Sequence, residues 1–308
     1  MSSETFKTPI VLFVYNRPHL AQQVLETLRS VSPSHILLVA DGPKKDNPVD
    51  RMKCEEVLHL LKGTLNWPAH VEWNVSPMNM GCRKRFTTGL AWAFDRVEEA
   101  IVLEDDCVPH PSFFRFCNTL LEHYRSDPRV ALICGSSFQV EADDAPASYF
   151  FSRYPLIWGW AGWRRTWELY DADIDAWEGL RETPWLSELL TDPVAIAYWR
   201  YIFDQVRRGF DTWDYSMTFS CWRAGVLAVH PYRNLVRNIG FGDDATHTRD
   251  WNSVFANMPT YEMPFPLVHP HRVQRTPACD DRIEWVAFSG TAKQQIRARL
   301  RARSESPT

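Results

Sequence analysis

The chain has 308 residues, 45% of them hydrophobic and 23% charged, which leaves room for one large α/β domain or two small ones around a sizeable core. A net charge of −4 gives no basic face of the kind a nucleic-acid partner needs, and no apolar run approaches the ~18 residues of a membrane-spanning helix. The polar N-terminus lacks the apolar stretch of a secretory signal, and seven cysteines, an odd number with no CxxC pair, fit a reduced, cytoplasmic setting.

Residues 9–15 (PIVLFVY) form an apolar, β-rich run of buried-strand type. Asn16-Arg17-Pro18 follows, and Pro18 suits the first turn of a helix whose inner face carries Leu20, Val24, Leu25 and Leu28. Residues 35–40 (HILLVA) predict a second strand ending in Asp41-Gly42-Pro43, and a helix is expected over about 48–62 with Gly63 as its stop. Residues 70–75 (HVEWNV) alternate as a third strand does. Asn79-Met80-Gly81 then leads into a helix with Phe86, Leu90, Ala93, Phe94 and Val97 at helical spacing. The fourth strand, 100–103, runs straight into Glu104-Asp105-Asp106. A helix over about 112–125 and a fifth strand over 129–134 complete the regular half.

Alternating strands and helices imply an α/β fold with a mostly parallel central sheet and helices on both faces. Ligands bind such sheets beyond the carboxyl ends of the strands. Three of those ends carry groups suited to a nucleotide: Asn16-Arg17, Asp41 and the Glu104 triplet. The second half is less regular. It holds Trp158-Gly159-Trp160, a helix over about 193–208 with Asp192 as N-cap and Gly209 as stop, a short strand near 226–229, and a loop-rich stretch from Asn238 to Thr248. The tail beyond about 290 carries Arg297, Arg299, Arg301 and Arg303. It reads first as a solvated end and second as a contact for an anionic membrane surface.

Three adjacent carboxylates repel one another unless a cation or donor groups compensate them. Mg²⁺ or Mn²⁺ would do so and would also hold a diphosphate, whereas an acidic turn needs no ion. Asp41 can accept from a base N–H or a ribose hydroxyl, or simply form the Asp-Gly-Pro turn. Asn16 and Arg17 have the same choice of facing the base. Gly81 opens the next helix, and Arg83, Lys84 or Arg85 could reach a diphosphate or only solvate the helix start. Asp211 and Asp214 lie among aromatic residues and are candidates for a general base, with helix capping as the alternative. His247 is a candidate metal or phosphate ligand or a plain loop residue. Fourteen tryptophans, crowded between Trp158 and Trp222, suggest an aromatic core together with a sugar-stacking acceptor surface at Trp158, Trp160 and Trp213.

With these pieces in view the chain resembles family 2-like glycosyltransferases of the GT-A fold, including a bacterial group labelled hemolytic-protein-like. The matching segments are Val14-Tyr15-Asn16-Arg17-Pro18, Ala40-Asp41-Gly42, Asn79-Met80-Gly81, Val102-Leu103-Glu104-Asp105-Asp106, Trp158-Gly159-Trp160 and Asn238-Ile239-Gly240-Phe241-Gly242. The layout is also distantly similar to metal-dependent N-acetylglucosaminyltransferases. The resemblance implies a domain over 8–250, with 8–135 holding the nucleotide-sugar and 136–250 the acceptor, and an extension over 251–308. It further implies that Asp41 contacts the nucleotide base, that Glu104 and Asp105 contact ribose or donor sugar, and that Asp106 ligates Mn²⁺ or Mg²⁺. The base of the related enzymes lies in a Trp-Asp-Asp-Trp element, where this chain has Trp213-Asp214-Tyr215-Ser216. The missing second carboxylate leaves Asp214 and Asp211 both open.

The expected function is transfer of a sugar from a nucleotide-sugar donor, UDP-type favoured, to a saccharide or lipid-linked saccharide, with inversion and with a divalent metal. A nucleotide-sugar pyrophosphorylase shares the sheet but needs a Gly-rich loop after the first strand. A non-catalytic carbohydrate-binding or hemolytic surface protein has no use for the polar strand ends.

Overall fold

The computed structural model describes residues 6–139, 145–241, 255, 258–288 and 293–298. The strands among them are β1 (Ile10–Val14), β2 (His35–Ala40), β3 (His70–Val75), β4 (Glu99–Glu104), β5 (Cys107–Pro109), β6 (Val130–Cys134), β7 (Tyr149–Ser152), β8 (Trp160–Trp163), β9 (Leu227–Pro231) and β10 (Val236–Asn238). The helices are α1 (Pro18–Val31), α2 (Pro48–Thr64), α3 (Cys82–Phe94), α4 (Pro111–His123), α5 (Arg164–Trp167), α6 (Trp177–Leu180), α7 (Trp185–Leu189), α8 (Pro193–Arg207), α9 (Asp214–Ala224) and α10 (Pro277–Ala287).

Eight strands make one sheet in the order β3-β2-β1-β4-β8-β6-β9-β7, and β5 pairs with β10 beside it. The first four strands are all parallel, as expected, and β6 and β9 are parallel too, while β8 and β7 run antiparallel to their neighbours. Every residue of β1 is buried. Its Val11 and Phe13 join one core with α3, α8 and α9, and its Ile10, Leu12 and Val14 join the other with α1, α2 and α4. A strand covered on both faces reads as an unbroken apolar run for this reason.

The helix ends follow local chemistry. Pro18 opens α1, whose Leu20, Val24, Leu25 and Leu28 are buried as expected. Asn47 caps α2 by accepting from the Asp50 amide at 3.0 Å. Gly63 does not stop α2, which continues to Thr64 and ends on Leu65; without a left-handed φ, glycine is only a weak spot in a helix. Asp192 caps α8 through the Val194 amide, and Gly209 follows the helix with a φ of +92°.

Strand β8 lies where an acceptor motif was expected. Trp160 begins it between β4 and β6, in the middle of the sheet. Gly162 leaves room for the Trp160 ring, since a Cβ there would stand 3.1 Å from it. The small residues Ala161 and Gly162 mask the strand in sequence, because they contribute little β preference. One sheet therefore joins residues from 10 to 231. Near its far edge, Arg153 and the Ser152 hydroxyl hold Asp280 of α10. No helix among the described residues is long and apolar enough to cross a membrane. Of the tail arginines only Arg297 is among the described residues.

Candidate active site

Helices α1 and α2 carry the chain outward from β1 to β3 along one face, and α3 returns on the other face to β4, on the far side of β1. The strand order reverses between β1 and β4. At that point the loops beyond neighbouring strands diverge and leave a crevice, the usual ligand position in open α/β sheets. The segments Tyr15-Asn16-Arg17, Asp41, Asn79-Met80-Gly81 and Glu104-Asp105-Asp106 all lie just past, or at, the carboxyl ends of these parallel strands.

Arg17, expected to face a nucleotide base, instead spans the carboxylates across the crevice. It donates through Nη1 to Asp106 Oδ2 at 2.8 Å and through Nη2 to Asp105 Oδ1. Burial works against its charge, but Asp105 and Asp106 outweigh this and hold it more firmly protonated than usual. Asp105 is 2% exposed and also accepts from the Tyr15 amide at 3.1 Å. Burial raises the Asp105 pKa despite Arg17. Glu104 ends β4 and has no side-chain hydrogen bond or ion pair among the described residues. Burial, and then the charge of Asp106, push its pKa well above the usual carboxylate range. Part of the compensation expected from a metal is thus supplied by a guanidinium.

Asp106 is fixed from below. Its carbonyl accepts from the Ile239 amide at 2.8 Å, and the β5–β10 ladder places Asn238 opposite Cys107. A Cβ on Gly240 would collide with the Asp106 carboxylate, so the matched segment Asn238-Ile239-Gly240 packs directly on the triplet.

Asp41 is 9% exposed and engaged within its own loop. It accepts from the Gly42 amide at 2.9 Å, the Met80 amide at 3.0 Å and Asn79 Nδ2 at 3.0 Å, which ties the ends of β2 and β3 together. Burial raises its pKa although these donors oppose the change. Arg85, expected near a diphosphate, is 5% exposed. Its Nη2 donates to the Asn74 carbonyl at 2.5 Å and to Asn74 Oδ1 at 3.0 Å, while its Nε has no partner among the described residues. It supports the floor of the loop instead of lying on its surface. Arg83 turns away to the Ala172 carbonyl and Asp173.

Sequence reasoning missed Asp50. Its carboxylate accepts from Tyr15 Oη at 2.6 Å, Asn16 Nδ2 at 2.5 Å and the Lys44 amide at 2.6 Å. Burial opposes its charge, but these donors bring its pKa below the usual value. Asp50 therefore orients Asn16, the other residue expected to face a base. The signal was present as Asn47-Pro48-Val49-Asp50, a helix start with a carboxylate at its third position, and it reads only as capping.

Asp211 accepts at the N-terminus of α3, from the Cys82 amide at 3.2 Å and the Arg83 amide at 2.8 Å. Gly81, with φ +80°, allows this approach: a Cβ there would stand 3.0 Å from Asp211 Oδ2. Asp214 is the first residue of α9, accepts from the Thr212 hydroxyl, and lies close enough for its charge to act on Glu104 and Cys82.

The tryptophans divide. Trp160 is 1% exposed and Trp213 2%, and the Trp213 ring stacks on Phe86 at 4.8 Å. Neither offers a ring face to a sugar, which corrects that expectation for both; most of the tryptophan excess builds the core. Trp158 is half-buried among Phe138, Phe241 and Phe255. His247 lies outside the described residues.

The donor set suits a hard divalent cation. Among the described residues Asp106 Oδ1 meets only the Cys107 thiol, a weak donor, and the Glu104 side chain has no hydrogen-bond partner. Mg²⁺ and ions like it commonly take one or two carboxylates and complete their shell with water and substrate phosphate. Asp106 and Glu104 meet that requirement, and Arg17 covers the other Asp106 oxygen, Oδ2.

No family model and no curated protein matches the chain. Among solved structures it is similar to a mannosyltransferase from Pyrobaculum calidifontis in complex with GDP-Man and Mn²⁺, at 10% identity and TM-score 0.38 over 70% of this chain and 68% of that one. It is similar to glucosyl-3-phosphoglycerate synthase from Mycobacterium tuberculosis with Mn²⁺, UDP and phosphoglyceric acid, at 14% identity and TM-score 0.31 over 54% and 57%. It is also similar to an apo UDP-glucose pyrophosphorylase, at 10% identity and TM-score 0.37 over 73% and 90%. These are distant likenesses, and they include a transferase, a synthase and a pyrophosphorylase.

Proposed function

We propose that the chain is a metal-dependent glycosyltransferase that takes a nucleotide-sugar, UDP-type favoured, and passes the sugar to a saccharide or lipid-linked saccharide with inversion. The observation that carries this is the carboxylate triplet gathered with Arg17 at the reversal point of the sheet. The lack of a glycine loop supports transfer over pyrophosphorolysis, since α1 starts at Pro18 only three residues after Tyr15.

Asp41, Asn79 and the Asp50-held Asn16 form the base and ribose side, and Glu104 lies towards the donor sugar, while Asp105, buried and held by Arg17 and the Tyr15 amide, positions Arg17 and does not meet the sugar. Asp106 and Glu104 would hold the cation, which supplies Lewis-acid stabilisation of the departing diphosphate. Asp214 takes the proton from the acceptor hydroxyl. That oxygen bonds to the anomeric carbon as the bond to the diphosphate breaks, in one displacement. Asp214 is preferred over Asp211 because both Asp211 oxygens already accept amide protons of α3.

Calorimetric titration with UDP tests the reading. Binding should tighten strongly with Mn²⁺ or Mg²⁺, and Asp106→Ala should abolish that dependence. Equal affinity in EDTA and in Mn²⁺, with equal activity in both, overturns the metal role.

A further inference from the structure

Strand β3 forms one edge of the sheet and pairs in parallel with β2, placing His35 opposite His70 and Leu37 opposite Glu72. Residues two apart on a strand share a face, so His35, His70 and Glu72 project on the same side. They sit at the opposite end of these strands from Asp41. His35 Nε2 lies 3.0 Å from Glu72 Oε1, and His70 Nε2 lies 3.4 Å from the same oxygen. One ligand atom from each residue falls within 4.8 Å of the other two. Two imidazoles and a carboxylate thus converge on one point, and no candidate role described above uses them.

We propose that His35, His70 and Glu72 form a binding site for a late first-row divalent transition metal, Zn²⁺ foremost. Imidazole nitrogen suits Zn²⁺, Cu²⁺ and Ni²⁺ better than Mg²⁺ or Ca²⁺, and two histidines with one carboxylate are a known three-ligand zinc set with a fourth position for water. The surroundings orient the carboxylate as supporting groups orient metal ligands. Arg96 donates from Nε to Glu72 Oε2 at 3.1 Å, leaving Oε1 towards the histidines. Arg96 is itself held, with its guanidinium over the Trp92 ring and Nη1 on the Trp92 carbonyl at 2.9 Å. The His70 amide bonds the Ser34 carbonyl at 2.8 Å, which fixes the backbone of both histidine-bearing segments. The metal would fasten an exposed edge strand to its neighbour and stabilise the fold.

Thermal unfolding of the full chain, stripped with chelator and titrated with ZnCl₂, tests this. Tm should rise with the logarithm of zinc concentration above the dissociation constant, as binding to the folded state alone requires. His35→Gln and His70→Gln should each remove the rise. The His70 side chain is 70% exposed, so His70→Gln should unfold near the metal-free wild type. Asp106→Ala should keep the rise, which separates this site from the carboxylate triplet. Co²⁺ should give a visible band of four-coordinate intensity in the wild type and in Asp106→Ala, and none in His70→Gln. No rise in the wild type, an equal rise in His70→Gln, or loss of the rise in Asp106→Ala overturns the proposal.

Discussion

Replacing Arg17 with methionine keeps an unbranched apolar stem but strips the guanidinium from two buried carboxylates. Breaking a buried pair on one side costs about 3–5 kcal/mol because a charge is left uncompensated. Urea unfolding at neutral pH should show a loss of that order. The loss should shrink as pH falls, since burial raises the Asp105 pKa and its protonation removes a charge that Arg17 would otherwise compensate. Asp214→Asn should lower turnover by about 10²–10⁴ and leave donor affinity nearly intact, the usual scale of general-base assistance. Near-normal turnover in single-turnover assays would remove Asp214 from the mechanism. His230 concerns stability instead. It is fully buried between the Tyr154 and Ser136 carbonyls, and burial lowers its pKa to about 4. The unfolded chain takes up that proton near pH ~6.5 while the native state does not. The contribution is therefore complete above the unfolded value and is lost as pH falls from there towards about 4, at about 1.4 kcal/mol per pH unit. Urea unfolding across that window should show a shallower slope in His230→Gln than in the wild type. The triplet was legible at this scale because its three carboxylates are neighbours in sequence. Arg17's role was not, because its partners lie 88 and 89 positions away.

At the scale of elements, α3 depends on a cap that no local pattern reveals. Asp211 lies 128 positions from the Arg83 amide it accepts. Asp211→Ala should cost about 0.5–2 kcal/mol, the usual price of a lost cap, and Asp211→Asn, which keeps an accepting oxygen, should cost less. If Asp211→Asn keeps its stability but loses turnover while Asp214→Asn retains it, the base assignment moves to Asp211. Gly42 is a second such point, since a Cβ there would lie 2.5 Å from the Met78 nitrogen and from the Ser76 carbonyl oxygen. Gly42→Ala should cost about 1–3 kcal/mol as backbone is forced apart. Because the same turn carries Asp41, calorimetry should also show weaker nucleotide binding. The buried strands β1, β2 and β4 were legible as apolar runs between turn residues. β8 was not, because its WAGW sequence carries the signal of an aromatic loop.

For the whole molecule, the sequence conveyed the alternation of strands and helices but not how the second half joins the sheet. That join depends on β8 lying antiparallel between β4 and β6, and its pairs with β4 join residues about sixty positions apart, which leaves no periodic trace. It also decides what the tryptophans do. Trp160→Leu should act through the core on which both halves rest. Its cost should approach the ~3–5 kcal/mol of a large aromatic truncation and be visible as a lower urea midpoint. Any change in acceptor affinity should follow that loss of stability.

The central place of β8 also bears on how the chain matures at the ribosome. Strands β1 to β4 can assemble as soon as Glu104 has emerged, but the β4 edge beside them stays open until Trp160–Trp163 arrives. For more than fifty residues of synthesis the nascent chain exposes an unpaired apolar ladder, the kind of surface that invites pairing with other chains. A stalled or truncated product ending before β8 should therefore aggregate, although it contains every polar strand end of the proposed donor site.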